Sequence, residues 1–69
     1  MSESVYIIVK LVGSSTVSWE DAAKSAVETA AKSLQDLRIA EAVEFDMKVE
    51  NEKVIAFRTK VKVSFKFKD

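Results

Sequence analysis

The chain contains no cysteine, no histidine and no proline, and its only glycine is Gly13. Without cysteine there is no disulfide framework and no thiolate metal site. Without histidine the commonest zinc ligand and the usual general base are both missing. Neither sign of charge dominates, because 11 Lys and Arg balance 11 Asp and Glu. A general nucleic-acid binder normally carries a basic excess, so no nucleic-acid partner is expected. No apolar run is long enough to span a bilayer and no secretory signal opens the chain, so no membrane partner is expected either. A cysteine-free chain fits a reducing compartment, and the expected location is cytoplasmic. Catalysis lacks support too: there is no nucleophile–base pair and no glycine-rich phosphate loop. Acids two apart on a strand are too common to read as a catalytic dyad. The expectation is a protein that is not an enzyme.

With 69 residues the chain forms one domain, 1–69. A chain this short buries only ~60% of the surface its unfolded form exposes. With disulfides and thiolate sites excluded, oligomerisation is the remaining support. The C-terminal half makes the same point. Two alternating runs, Arg38 to Val49 and Val54 to Phe67, are joined by a tight turn. Each is about twice the usual strand length of ~5–6 residues. One short helix does not cover that much apolar surface, so the function is expected in an assembly of copies.

The rest of the chain reads simply. Val5 to Val12 is β-branched and aromatic, which predicts a strand buried on most of its surface. Gly13 to Val17 breaks the pattern as a loop. Ser18 is placed to cap a helix, with Glu20 and Asp21 at its positive end. Apolar spacing through Trp19, Ala23, Ala26, Val27, Ala30, Leu34 and Leu37 continues that helix. Then the period becomes two. Simple alternation puts Ile39, Glu41, Val43, Phe45, Met47 and Val49 on one face, opposite Ala40, Ala42, Glu44, Asp46 and Lys48. On the last strand Ile55, Phe57, Thr59, Val61, Val63, Phe65 and Phe67 oppose Arg58, Lys60, Lys62, Ser64 and Lys66. Glu50 to Lys53 is the turn, with Asn51 the candidate for a left-handed conformation. The fold class is α+β in the order β-α-β-β, a three-stranded antiparallel sheet curved around one helix.

That order, with these residues, resembles the dodecins over essentially the whole chain. The likeness rests on Val5-Tyr6 leading an aliphatic run to Gly13, the serine-rich loop, the Ser18-led helix and Leu37-Arg38 entering the second strand. It also includes the turn at 50–54 and the Lys62-Val63-Ser64-Phe65 ending. The resemblance implies a hollow, roughly spherical homododecamer of tetrahedral symmetry, with the helix outside and the sheet lining the interior. It implies a storage or buffering protein for a small ligand, with flavins bound in pairs between subunits in the best-known members. The two flavin positions of the family fall on Ile39, where the family has tryptophan, and Arg58, where it has glutamine. Ile39 lacks the stacking geometry of an aromatic ring, and Arg58 has no hydrogen-bond acceptor. Flavin binding is therefore expected to be weak or absent. Ser18-Trp19-Glu20, Leu37-Arg38 without a following tryptophan, and Asp46-Met47 resemble the tryptophan-less calcium dodecins. That branch implies calcium as the cofactor. The alternatives are a flavin-sequestering dodecin, or a structural oligomeric module with no retained ligand.

For a metal the candidates are Glu44 and Asp46, two apart on one face, with Glu41 on the other face by alternation. Gathered around a symmetry axis, such carboxylates supply the oxygen ligands that calcium prefers. Their competing role is to pair with Lys60 and Lys62 across the hairpin. The row of Arg58, Lys60, Lys62 and Lys66 reads as an anion site or as a solvated sheet face. Phe57, Phe65 and Phe67 read as core. Alternation also separates Ile39 from Arg58, so a bulge, a strong twist or a neighbouring subunit must intervene if they form one pocket.

Overall fold

The structure, a computed structural model, describes residues 5–66. Its elements run β1 (Tyr6–Ser15), α1 (Trp19–Ala31), β2 (Leu37–Glu50) and β3 (Lys53–Lys66). The strands form one antiparallel sheet in the order β1-β3-β2, so the last strand lies in the middle. The expected β-α-β-β fold is present. Phe67, assigned above to the core, lies outside the described residues. No helix among the described residues is long and apolar enough to cross a membrane.

The capping prediction holds. Ser18 has extended backbone, and its Oγ accepts the Asp21 N–H at 2.9 Å. Ser15 Oγ donates to the Asp21 carboxylate at 2.7 Å, which ties the end of β1 to the helix start. α1 ends earlier than its apolar spacing suggested. The last turn closes on the Thr29 and Ala30 carbonyls, and Asp36 turns the chain with φ 59°. Leu37 is then the first residue of β2, paired with Phe65. Cross-strand pairing takes Leu37 from the helical pattern.

α1 buries Ala22, Ala26 and Ala30, one face at a spacing of four. Alanine there lets the helix lie close to the sheet, and Gly13 completes that approach. A Cβ at position 13 would fall on the Ala22 carbonyl oxygen and 2.9 Å from Ala26 Cβ. This explains why the single glycine stands inside β1, opposite Thr59, rather than in the expected loop. Val61 and Val63 of the central strand are 1% and 0% exposed and form the heart of the core.

β1 does not match its expected burial. Tyr6, Ile8 and Val12 are 50%, 63% and 54% exposed. β1 is an edge strand, and the helix covers only its Val9, Leu11 and Gly13 side. β2, the other edge, is more open still: Phe45 and Met47 remain 59% and 46% exposed. The chain measures 56 × 20 × 15 Å with a radius of gyration of 14.4 Å, against about 11 Å for a compact domain of this length. The long hairpin lacks cover within one chain, as its length predicted. At its tip both Asn51 (φ 50°) and Glu52 (φ 62°) are left-handed. A two-residue hairpin loop of that kind matches the twist of its strands.

Simple alternation fails along β2. The register shifts between Leu37 and Ile39, between Ala42 and Glu44, and between Lys48 and Val49. The shift at Val43 has the largest consequence. Ala40 and Ala42 pair with Val63 and Val61, on the helix side. Beyond Val43 the helix side passes to Phe45 and Met47, opposite Thr59 and Phe57. The open face holds Ile39, Glu41, Glu44 and Asp46, opposite Ser64, Lys62, Lys60 and Arg58. The grouping of Ile39 and Glu41 with Phe45 and Met47 is therefore corrected, as is the separation of Glu41 from Glu44 and Asp46. A bulge inserts one unpaired residue and so swaps the faces of everything beyond it.

Candidate functional site

On the open face the three strands stack side chains into rungs. In order these are Ile8–Ser64–Ile39, Lys10–Lys62–Glu41, Val12–Lys60–Glu44 and Ser14–Arg58–Asp46. The acids of β2 form one column and the bases of β3 another. The Val43 bulge makes this ladder, because without it Glu41 would point away from Glu44 and Asp46.

Two rungs are closed by ion pairs. Arg58 grips Asp46 with both prongs of its fork, Nε to Oδ1 at 2.7 Å and Nη2 to Oδ2 at 2.8 Å. Lys60 Nζ lies 2.9 Å from Glu44 Oε1. The hydrogen bond from Arg58 holds the Asp46 carboxyl below its ordinary pKa, and that from Lys60 does the same for Glu44. Their carboxylates in turn raise Arg58 and Lys60. The partner of Asp46 is thus Arg58, a pairing the sequence reading did not assign. Glu41 faces Lys62 in register, yet no ion pair joins them among the described residues.

Asp46 is also held from behind. Trp19 Nε1–H donates to the Asp46 carbonyl oxygen at 3.0 Å. The indole meets Phe57 edge to face at 5.1 Å between centroids, and Phe45 at 6.1 Å. Thr59, fully buried, donates its Oγ1–H to the Trp19 carbonyl at 2.9 Å. The helix start is thus fastened to the strands that carry Asp46 and Arg58. Sequence reasoning saw Trp19 only as an apolar helix residue. The parity break between Glu41 and Glu44 was the available signal for the bulge that turns Phe45 toward it.

Ile39 and Arg58 now share the open face, but they are not neighbours. Ile39 pairs with Ser64 and lies six positions along β3 from Arg58, roughly 20 Å at ~3.3 Å per residue. One chain does not unite the two flavin positions. Nor does one chain gather a metal site: among the described residues no three acids lie close enough to hold an ion.

An open charged face with apolar flanks left bare describes a subunit with surface still to be covered. The comparisons agree. The dodecin family model matches residues 5–68, and the chain belongs to the dodecin family. It is 43% identical over 65 residues to a calcium dodecin of Mycobacterium tuberculosis, covering 94% of this chain and 92% of that one. A crystal structure of a calcium dodecin from that organism, described as calcium-chelating with a novel calcium-binding site, superposes with a TM-score of 0.84. The match covers 94% of this chain and 93% of that one, at 43% identity. A dodecin from Streptomyces coelicolor gives a TM-score of 0.92 at 25% identity, over 100% of this chain and 99% of that one. Dodecins are small binding proteins whose members form homo-oligomers, and the family implies a dodecamer.

Proposed function

We propose that this protein is a calcium-type dodecin, a non-enzymatic hollow homododecamer that binds and stores a small cation in the cytoplasm. The observation that carries the reading is the acid column Glu41, Glu44 and Asp46 on one face of β2. The identity to a calcium dodecin supports it. Calcium takes six to eight oxygen ligands, so a site on this column needs carboxylates from more than one subunit. Exposed Ile8, Phe45 and Met47 supply the apolar surface that such neighbours cover.

Calcium does not find these carboxylates free. Arg58 and Lys60 already neutralise Asp46 and Glu44, so binding there is an exchange of cations. Glu41 carries no such partner among the described residues and is the acid most available to an ion. Flavin is disfavoured as the ligand, because Ile39 offers no ring and Arg58 is committed to Asp46.

Native mass spectrometry with metal analysis tests both halves. The expected result is a twelve-subunit mass carrying calcium, with Glu41→Gln, Glu44→Gln and Asp46→Asn together weakening calcium about tenfold or more. A monomer or dimer at micromolar concentration sinks the shell. A dodecamer that takes up stoichiometric flavin and no calcium sinks the cation.

A further inference from the structure

Trp19 stands directly behind the Asp46–Arg58 rung. Successive residues of a strand point to opposite faces, so each member of the pair has an aromatic neighbour on the helix side. Phe45 precedes Asp46, and Phe57 precedes Arg58. The indole meets both rings edge to face, at 6.1 and 5.1 Å between centroids. Its Nε1–H donates to the Asp46 carbonyl at 3.0 Å. Among the described residues this is the only hydrogen bond between α1 and β2. The helix start thus reaches β2 by a polar contact at one residue, and Arg58 grips that same residue.

The two holds on Asp46 act on one Cα. On the open face Arg58 takes both carboxylate oxygens, at 2.7 and 2.8 Å, which fixes the side chain. On the helix side the indole takes the carbonyl. β2 is an edge strand, paired on one side only, so its backbone depends on such ties more than a central strand does. The neighbouring rung lacks the double hold. Glu44 pairs with Lys60 at 2.9 Å, but among the described residues no helix side chain bonds its backbone. Lys60 follows Thr59, whose hydroxyl bonds the Trp19 carbonyl. Arg58 and Lys60 are therefore each one position from a residue that touches Trp19, yet only Arg58 acts on Asp46.

We infer that Trp19 senses the state of the open face. While Arg58 holds Asp46, the carbonyl is fixed and the indole hydrogen bond is firm. Any ligand that parts the pair alters that hold, and the change reaches the indole through the Asp46 backbone. The signal crosses the sheet, from the charged face to the helix start. Coupling of this kind is reciprocal, so a firm indole bond also steadies the ion pair. The link is independent of which ligand parts the pair, and its test needs none. It stands or falls apart from the cation reading.

Trp19 is the only tryptophan, so the assembled full-length protein carrying isotope-labelled tryptophan gives one indole N–H signal by NMR. Hydrogen exchange at that signal tests the link. Arg58→Gln removes the fork and leaves Asp46 in place. Exchange is expected to quicken about threefold or more, the scale of an exposed ion pair. Lys60→Gln removes the same charge from the same face and should leave the rate within about 1.5-fold. In the other direction, Trp19→Phe should quicken exchange at Arg58 Nε–H about threefold or more, with the Arg38 signal unchanged. An indole rate unmoved by Arg58→Gln overturns the link. Equal quickening in the Arg58 and Lys60 variants also overturns it, since a diffuse charge effect would then suffice. So does a Trp19→Phe protein in which Arg58 exchanges at its former rate, or quickens no more than Arg38.

Discussion

The helix side of the sheet and its open side are made from the same three strands, yet they are held by different forces. On the helix side, Val61, Val63 and Thr59 are at most 1% exposed, and three alanines and one glycine set how near the helix comes. That face depends on shape. On the open side the last two rungs are charge pairs whose side chains are roughly half exposed. That face depends on electrostatics, which water and salt weaken. The contrast suggests a division of labour. Substitutions on the helix side are expected to act on folding, and under the proposed function those on the open side are expected to act on binding. The Val43 bulge assigns residues to the two sides, and Trp19 joins them.

The largest expected effect lies where shape alone decides. Gly13→Val places a Cβ on the Ala22 carbonyl oxygen, a backbone atom that does not swing aside. Forcing the helix away from β1 should cost about 3 kcal/mol, the upper end of overpacking, in a small domain whose total stability is on the order of 5 kcal/mol. About 2 kcal/mol of stability then remains, so the variant should still fold in water but with its urea midpoint, followed by circular dichroism, lowered by more than half. A variant with the parent's midpoint would break the claim that this contact sets the helix position.

Trp19→Phe tests the joint between the faces. Phenylalanine keeps much of the apolar contact with Phe45 and Phe57 but removes the N–H that reaches the Asp46 carbonyl. The Thr59 bond is to the backbone of residue 19, so it survives. A loss of about 1 kcal/mol is expected from the missing hydrogen bond. Urea unfolding followed by circular dichroism measures it, because the only tryptophan is gone. An unchanged midpoint would show that ring packing and the Thr59 bond fasten the helix start without the indole N–H.

Much of this was legible in the residues. The element order, the Ser18 cap, the hairpin turn and the unmet apolar surface of the long strands each follow from a local rule. Thr59, Val61 and Val63 of β3 followed from period-two alternation. That rule also put Ile55 with them, whereas Ile55 is unpaired at the register shift between Val54 and Ala56 and exposed, and Ala56 is buried instead. The same rule failed on β2. There the acids fall at 41, 44 and 46, a change of parity that alternation cannot absorb without an extra residue. A bulge is a compromise between the helix start's demand for Phe45, which meets Trp19, and the hairpin's demand for charge pairing. Neither demand is visible in a window of one strand. The exposure of β1 was hidden for a similar reason. Its composition matches a buried strand, and what covers its open side belongs to no element of the same chain.

The smallest expected effect belongs to the charge ladder and is read in acid. Asp46 and Glu44 have native pKa values below their ordinary ones because Arg58 and Lys60 hydrogen-bond their charged forms. A lowered native value means that the unfolded chain binds protons first as the pH falls. The ladder's contribution is therefore complete above the ordinary carboxylate range near 4. It declines below that range and is gone once the pH passes the lowered native values. Arg58 and Lys60 are shifted up, so their contribution is complete at neutral pH and is lost only as the pH rises through their raised native values. Urea midpoints should accordingly stay level from pH 7 to about 5 and fall below about 4. The Glu44→Gln, Asp46→Asn double variant should show a shallower fall over that acid range. Added salt at about 1 M should narrow the gap between the two proteins, since both pairs face water. The change should be smaller than that of Trp19→Phe, because exposed pairs gain little from water-screened attraction. If the acid limbs of the two proteins superimpose, the ladder adds nothing to folding, and the acid column is retained on the open face for its ligand alone.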